Sequence, residues 1–166
     1  MEMPSVIAFT CQRCGHCCEG VGGIVLSAFD LERLGSHLKL DRNALLERFT
    51  EHVGGRHRLV TGTDDSCIFY AAGCMVHQAR PDVCRAWPYF RGNIIDADSH
   101  AMAAEDCPGI NQQASHAEFA RQGRDYLMAH KLCRSRGEDV PEALVIDCIP
   151  DTPEEAEHGR PGFDAS

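Results

Sequence analysis

With 166 residues, 10 of them cysteine, and a formal net charge of −9, the chain suits one domain with a modest core rather than two independent ones. The charge is uneven: residues 1–136 carry 15 basic and 16 acidic side chains, whereas 137–166 carry one basic residue, Arg160, and nine acidic ones. A nearly neutral body without a Lys/Arg run, followed by an acidic end, argues against nucleic acid and anionic membrane surfaces as partners.

Taken in chain order, the first element is a loop. Cys11-Gln-Arg-Cys14-Gly-His-Cys17-Cys18 lies in a stretch rich in glycine (Gly15, Gly20, Gly22, Gly23), which can turn backbone amides toward sulfur. Ser27-Ala-Phe-Asp30 reads as a capping box opening a short helix that carries Phe29, Leu31, Leu34 and Leu38. Asp41 opens a second helix with Leu45, Leu46 and Phe49 on one face. Arg58 to Thr61 is a weak strand candidate. Cys67-Ile-Phe-Tyr70 and Cys74-Met-Val-His77, joined through Gly73, predict a hairpin with a thiol at the start of each strand. Pro81 fits the first turn of a short helix that presents Cys84. Trp87 to Asp106 reads as irregular. Ser115-His-Ala-Glu118 is a second capping box, predicting the longest helix over about 115–136, with Gly137 as its stop. Residues 151–166 lack periodicity and predict an acidic, disordered tail behind a single domain over 1–150. The fold class expected is α+β, small, mainly helical or irregular, and organised around one or two cysteine-rich metal sites.

Eight cysteines carry the chemistry: Cys11, Cys14, Cys17, Cys18, Cys67, Cys74, Cys84 and Cys107. Paired thiolates with two residues between them fold toward one centre and suit a soft metal ion or an iron-sulfur cluster. Buried structural thiols are the plain alternative, but adjacent and Gly-flanked cysteines pack poorly in a core. Neighbouring side chains in extended backbone point to opposite faces, so Cys17 and Cys18 more easily serve two different metals, or supply only one ligand between them, than reach one metal through a strained turn. Cys11, Cys14 and Cys17 match a ferredoxin-type C-x2-C-x2-C run that Cys107-Pro108 could close, leaving Cys18, Cys67, Cys74 and Cys84 as a second set. No Cys-x-x-Cys is followed by His, which excludes c-type haem attachment.

These residues resemble the YkgJ-type cysteine-cluster proteins with their CxxCxxCC signature. The match comprises Cys11, Cys14, Cys17 and Cys18, then Cys67-x-Phe69, Cys74-x-Val76-His77, Arg80-Pro81-x-x-Cys84-Arg85-x-Trp87-Pro88-Tyr89 and Cys107-Pro108-Gly109, spanning residues 9–110. The resemblance implies chelation of zinc or iron. Proteins of this type are often labelled Fe-S oxidoreductases, and a similar domain occurs in longer flagellin lysine methylases, so the resemblance stops short of a reaction.

Around the thiols, Arg85 could offset the charge of a tetrathiolate centre or form an ordinary ion pair. His77 could replace a thiolate or hydrogen-bond to one, and Trp87 could pack over the site and exclude water. His16 reads as a surface or supporting residue, and Cys133 and Cys148 as packing thiols. The sequence therefore predicts a metal-binding protein holding an iron-sulfur cluster, of the [4Fe-4S] type, with an electron-transfer or redox role, or else zinc in a structural interaction or maturation module. Without a basic n-region or a long apolar run, the expected location is the cytoplasm, with a redox or protein partner that the sequence does not identify.

Overall fold

The structure is a computed structural model that describes residues 5–20, 23–135 and 140–145. Cys148, the Gly137 stop and the acidic segment 151–166 lie outside the described residues. The fold is α+β, built from helices α1 (Ala28–Leu38), α2 (Arg42–Phe49), α3 (Asp82–Ala86), α4 (Arg91–Ile95), α5 (Ala97–Asp106) and α6 (His116–Ala129). Strands β1 (Val25–Leu26), β2 (Thr50–Val53) and β3 (Arg56–Leu59) form one antiparallel sheet in the order β1-β3-β2.

Helix α1 starts where its capping residues dictate. The Asp30 amide donates to Ser27 Oγ at 3.1 Å and the Ser27 amide donates back to Asp30 Oδ2 at 2.9 Å, closing the reciprocal box. Leu31 and Leu34 are buried, while Phe29 is 69% exposed, so the apolar face is narrower than the sequence suggests. Asp41 caps α2 through the Ala44 amide, and Leu45 is buried beneath it. The chain then runs directly into β2, turns at Gly54-Gly55, where both φ angles are positive (60° and 78°), and returns as β3. Positive φ at both central residues is what a two-residue hairpin requires, and glycine takes it without strain.

Two apolar clusters result. One joins the sheet to α1 and α2 through Leu26, Leu31, Leu34, Leu45, Leu59, Phe69 and Val76. The other gathers Tyr89, Ile94, Ile110, Phe119, Leu127, Leu132 and Leu144 around α4 and α6. Tyr89 lies 4.9 Å from the ring of Phe119 and 5.8 Å, edge-on, from Phe9, which ties the N-terminal segment to the helical cluster.

Several expected elements differ. The Cys67–Tyr70 and Cys74–His77 strands are absent. A single Tyr70–Cys74 bridge is flanked by turns, with positive φ at Ala72 and Gly73, and His77–Ala79 is a 3-10 turn. The strand sought at 58–61 begins earlier, at Arg56, and ends at Leu59. Trp87 to Asp106 is not irregular: α4 and α5 fill it, α5 being capped by Asp96 on the Ser99 amide and burying only Ala103, so it leaves little apolar periodicity to read. The long helix stops at Ala129 because Lys131 takes a left-handed φ of 55° and the Leu132 amide turns back onto the Leu127 carbonyl at 2.8 Å. Pro81 sits just before α3 rather than within it.

A buried carboxylate joins the parts. Asp82 Oδ1 accepts from Arg33 Nη2 at 2.9 Å and from Arg85 Nη1 at 3.2 Å, and Oδ2 accepts from Arg134 Nη2 at 2.7 Å. The Asp82 amide donates to the equally buried Asp30 Oδ1 at 2.8 Å. Thus α1, α3 and the segment after α6 meet at one ionic node. Breaking a buried pair from one side leaves uncompensated charge, so Asp82→Ala is expected to cost about 3–5 kcal/mol in urea unfolding. A loss below about 1 kcal/mol, the range of exposed pairs, would mean that the node is a surface feature.

Candidate metal centre

The cysteine loop is fastened at both ends. At its start, the Thr10 amide donates to the Gly109 carbonyl at 2.9 Å, and Phe9 bridges Ile110. A Cβ at Gly109 would lie 2.5 Å from the Thr10 carbonyl oxygen, so only glycine lets the two backbones approach this closely. At its end, Glu19 bridges Ser66, the Cys67 amide donates to the Cys18 carbonyl at 2.7 Å, and the Gly20 amide donates to the Asp65 carbonyl at 2.8 Å. The loop therefore spans from the Cys107-Pro108 turn of the helical cluster to the Cys67 turn of the other. His16 Nδ1 donates to the Asp106 carbonyl at 2.7 Å, a third stitch beside Cys107.

Within the loop, Gly15 takes a left-handed φ of 84° and starts a 3-10 turn at His16–Cys18. This turn removes the obstacle posed by adjacent cysteines, because the Cys17 and Cys18 thiols come into mutual hydrogen-bond contact. The contact holds the Cys17 thiol down to about 6, chiefly through the hydrogen bond from Cys18, and pushes Cys18 up by the same bond and by burial. Burial pushes Cys67 and Cys84 up as well, and each feels the charges of Cys17 and Cys74. Cys17, Cys18, Cys67, Cys74 and Cys84, from three chain segments, thus lie close enough for the charges of Cys17 and Cys74 to reach Cys18, Cys67 and Cys84.

This grouping unites Cys17 with the set formed by Cys18, Cys67, Cys74 and Cys84. Cys11 and Cys14 are exposed on the loop, and Cys107 is buried in the helical cluster. Among the described residues, no three His, Cys, Asp or Glu side chains already converge as a metal cage. The donors fit a thiophilic metal by their chemistry and neighbourhood rather than by a finished coordination geometry.

The surrounding residues sort differently from their sequence neighbours. Arg85 is engaged by Asp82, and its carbonyl accepts from the Tyr126 hydroxyl at 3.0 Å. The arginine that acts on the thiols is Arg80, whose charge favours the thiolate forms of Cys17 and Cys84, with His16 adding to the effect on Cys17, and whose Nε donates to the His77 carbonyl at 2.9 Å. Its position before Pro81 made it visible in the motif, but only the 3-10 turn at 77–79 carries its charge to the sulfurs. His77 is held below its ordinary range by burial and then by Arg80 and Arg13. Trp87 packs edge-on against Phe90 at 5.2 Å, within the helical cluster. Cys133 also packs against that cluster.

A thiol cluster held in turns between two small apolar cores defines a cysteine-based metal-binding domain. The family model CxxCxxCC, described as "Putative zinc- or iron-chelating domain", matches residues 10–108, and the chain belongs to that family. It is similar to an uncharacterized protein of Methanocaldococcus jannaschii, with 28% identity over 86 residues that cover 50% of this chain and 46% of the archaeal one. The chain thus spans about half the length of that relative. No solved structure matches the chain. Metal binding is the property these comparisons support, and among the described residues no helix is long and apolar enough to cross a membrane.

Gly15 supplies a direct test of the loop geometry. A Cβ there would lie 2.5 Å from the Tyr70 hydroxyl oxygen at a φ that side chains avoid. Gly15→Ala is therefore expected to cost roughly 1–3 kcal/mol of stability and to lower metal content per chain. Adding Tyr70→Ala should recover part of the metal, since it removes the overlap but not the backbone strain. Unchanged metal and melting temperature in Gly15→Ala would show that the loop does not depend on this contact.

Proposed function

We propose that the chain binds an iron-sulfur cluster through cysteines drawn from Cys11, Cys14, Cys17, Cys18, Cys67, Cys74, Cys84 and Cys107, and that it serves in electron transfer. The observation that carries this reading is the gathering of Cys17, Cys18, Cys67, Cys74 and Cys84 from three segments: the Cys67 amide donates to the Cys18 carbonyl, Tyr70 bridges Cys74, and the charges of Cys17 and Cys74 reach Cys18, Cys67 and Cys84. The Cys11-x2-Cys14-x2-Cys17 spacing and Cys107-Pro108 favour iron-sulfur over a single ion. A bound cluster would supply one-electron chemistry. The chain's own residues supply thiolates, the turn at His16–Cys18 that aims two of them together, and a positive charge at Arg80 that offsets the excess negative charge of thiolate ligation. Arg85 supports this arrangement indirectly, by holding Asp82 and hence the start of α3.

A second reading, structural zinc in an interaction or maturation module, is favoured by residues 60–81. That stretch contains isolated bridges and turns but no strand or α-helix, a composition in which a tetrathiolate metal commonly replaces apolar core. A role related to protein lysine methylation would require a substrate-binding part beyond what a cysteine-cluster domain provides. The single-domain extent over 1–150 and a cytoplasmic location with a redox or protein partner accompany the first reading.

Anaerobic purification followed by metal and acid-labile sulfide analysis separates the two. The iron-sulfur reading predicts a brown protein with stoichiometric iron and sulfide, and a colourless one that keeps zinc through reconstitution decides for the other. On either reading Cys17→Ser and Cys84→Ser lose metal and unfold, because a structural metal contributes roughly 10–16 kcal/mol of apparent binding free energy. Cys133→Ser should keep its metal. Full metal in all three variants would refute thiol ligation by the cluster.

A further inference from the structure

Away from the thiols, the β2–β3 hairpin sets two histidines side by side. His52 and His57 are directly opposed cross-strand partners, with ring centres 4.9 Å apart. Strand alternation puts them on the face that carries the buried Leu26 and Leu59, while Glu51 and Arg58 form their ion pair on the other face at 2.7 Å. His52 is exposed and His57 partly buried, and the Nδ1 of His57 is buried with no hydrogen-bond partner. A polar ring nitrogen left this way costs stability unless something supplies its missing partner. Neither histidine is among the groups whose charge reaches Cys17, Cys18, Cys67 or Cys84, so the pair is separate from the thiol group.

We propose that His52 and His57 form a second metal site, a two-imidazole clip for a borderline divalent transition ion such as Ni²⁺ or Zn²⁺. Imidazole is the donor such ions favour over hard cations like Mg²⁺. With metal-nitrogen bonds of about 2.0–2.1 Å, an ion lies about 3.2 Å from each ring centre, and bond angles between square and tetrahedral then separate the centres by about 4.5–5.2 Å. The observed 4.9 Å falls inside that range. The β2–β3 pairing places the rings at this separation before any ion arrives, so little ordering is needed on binding. Two protein ligands leave the remaining positions to water, which makes the clip an exchangeable site rather than a structural one.

The test uses the full chain, nitrogen-15 labelled, with its thiol site already metal-loaded, titrated with Ni²⁺ and followed by paramagnetic broadening of amide signals. Broadening is expected first at residues 50–59, ahead of the amides around exposed histidines such as His37 and His130. His52→Gln, at an exposed position that leaves the fold intact, should weaken Ni²⁺ binding at the hairpin about tenfold or more, because the second imidazole of a chelate acts at high effective concentration. His57→Gln should do the same. Broadening at residues 50–59 no earlier than around His130, or hairpin affinity within about twofold of the parent in His52→Gln, would overturn the proposal.

Discussion

Thiols that share a small volume must be brought there from distant parts of the chain, and they resist it. Burial pushes Cys67 and Cys84 up and the hydrogen bond to Cys17, with burial, pushes Cys18 up, the charge of neighbouring thiolates adding to each, while that same hydrogen bond holds Cys17 down. Something other than sulfur must therefore hold the segments together. Backbone pairing does so on one side, where Cys67 donates to the Cys18 carbonyl, and the Asp82 node does so on the other, two residues before Cys84. Under the proposed ligation the metal would convert this mutual repulsion into attraction by taking the thiolate charge onto itself.

The two apolar clusters explain why the loop is positioned as it is. Neither is large, and the cysteine loop, pinned at Thr10 to Gly109 and at Glu19 to Ser66, is a direct connection between them. Asp30 and Asp82 add a second, ionic connection through Arg33 and Arg134. Arg80 stands where the two connections meet: its carbonyl accepts from Arg33 Nη1 at 2.7 Å and its guanidinium acts on Cys17 and Cys84. A perturbation of the ionic node should therefore be felt at the sulfurs without touching any of them.

Features written in local chemistry were legible in the sequence. Ser27, Asp41 and Ser115 cap helices because a side-chain oxygen satisfies a free amide whatever the tertiary context, and the α+β class and the membership signalled by Cys11 to Cys18 followed from such patterns. Half of the second capping box was not realised, since Glu118 turns to Arg121 and Gln122 instead of its cap. The β2–β3 hairpin went unread apart from its end near Arg58: Gly54-Gly55 is a turn signal, but the strands, Thr-Glu-His-Val and Arg-His-Arg-Leu, lack the apolar alternation that makes a strand conspicuous. Helix α5 was hidden for the same reason, burying only an alanine. The Asp30–Asp82 node could not be read at all, because its members are 52 residues apart and nothing local distinguishes a buried aspartate from an exposed one. At the thiols, the spacing singled out candidate donors, but the grouping of Cys17 with Cys84, and Arg80 rather than Arg85 beside them, depends on how turns at 16–18 and 77–79 face each other.

The central claim is that metal held by the clustered thiols fastens the loop and the segments around Cys67 and Cys84 into one unit. Amide hydrogen exchange, measured on the metal-loaded chain and again after stripping with a chelator, addresses it directly. The account predicts that removing metal strips protection from the amides of Cys18, Cys67, Tyr70 and Cys84, whose acceptors are the carbonyls of Gly15, Cys18, Cys67 and Pro81, while the centre of α6 keeps most of its own. Undiminished protection at those four amides in metal-free protein would contradict it.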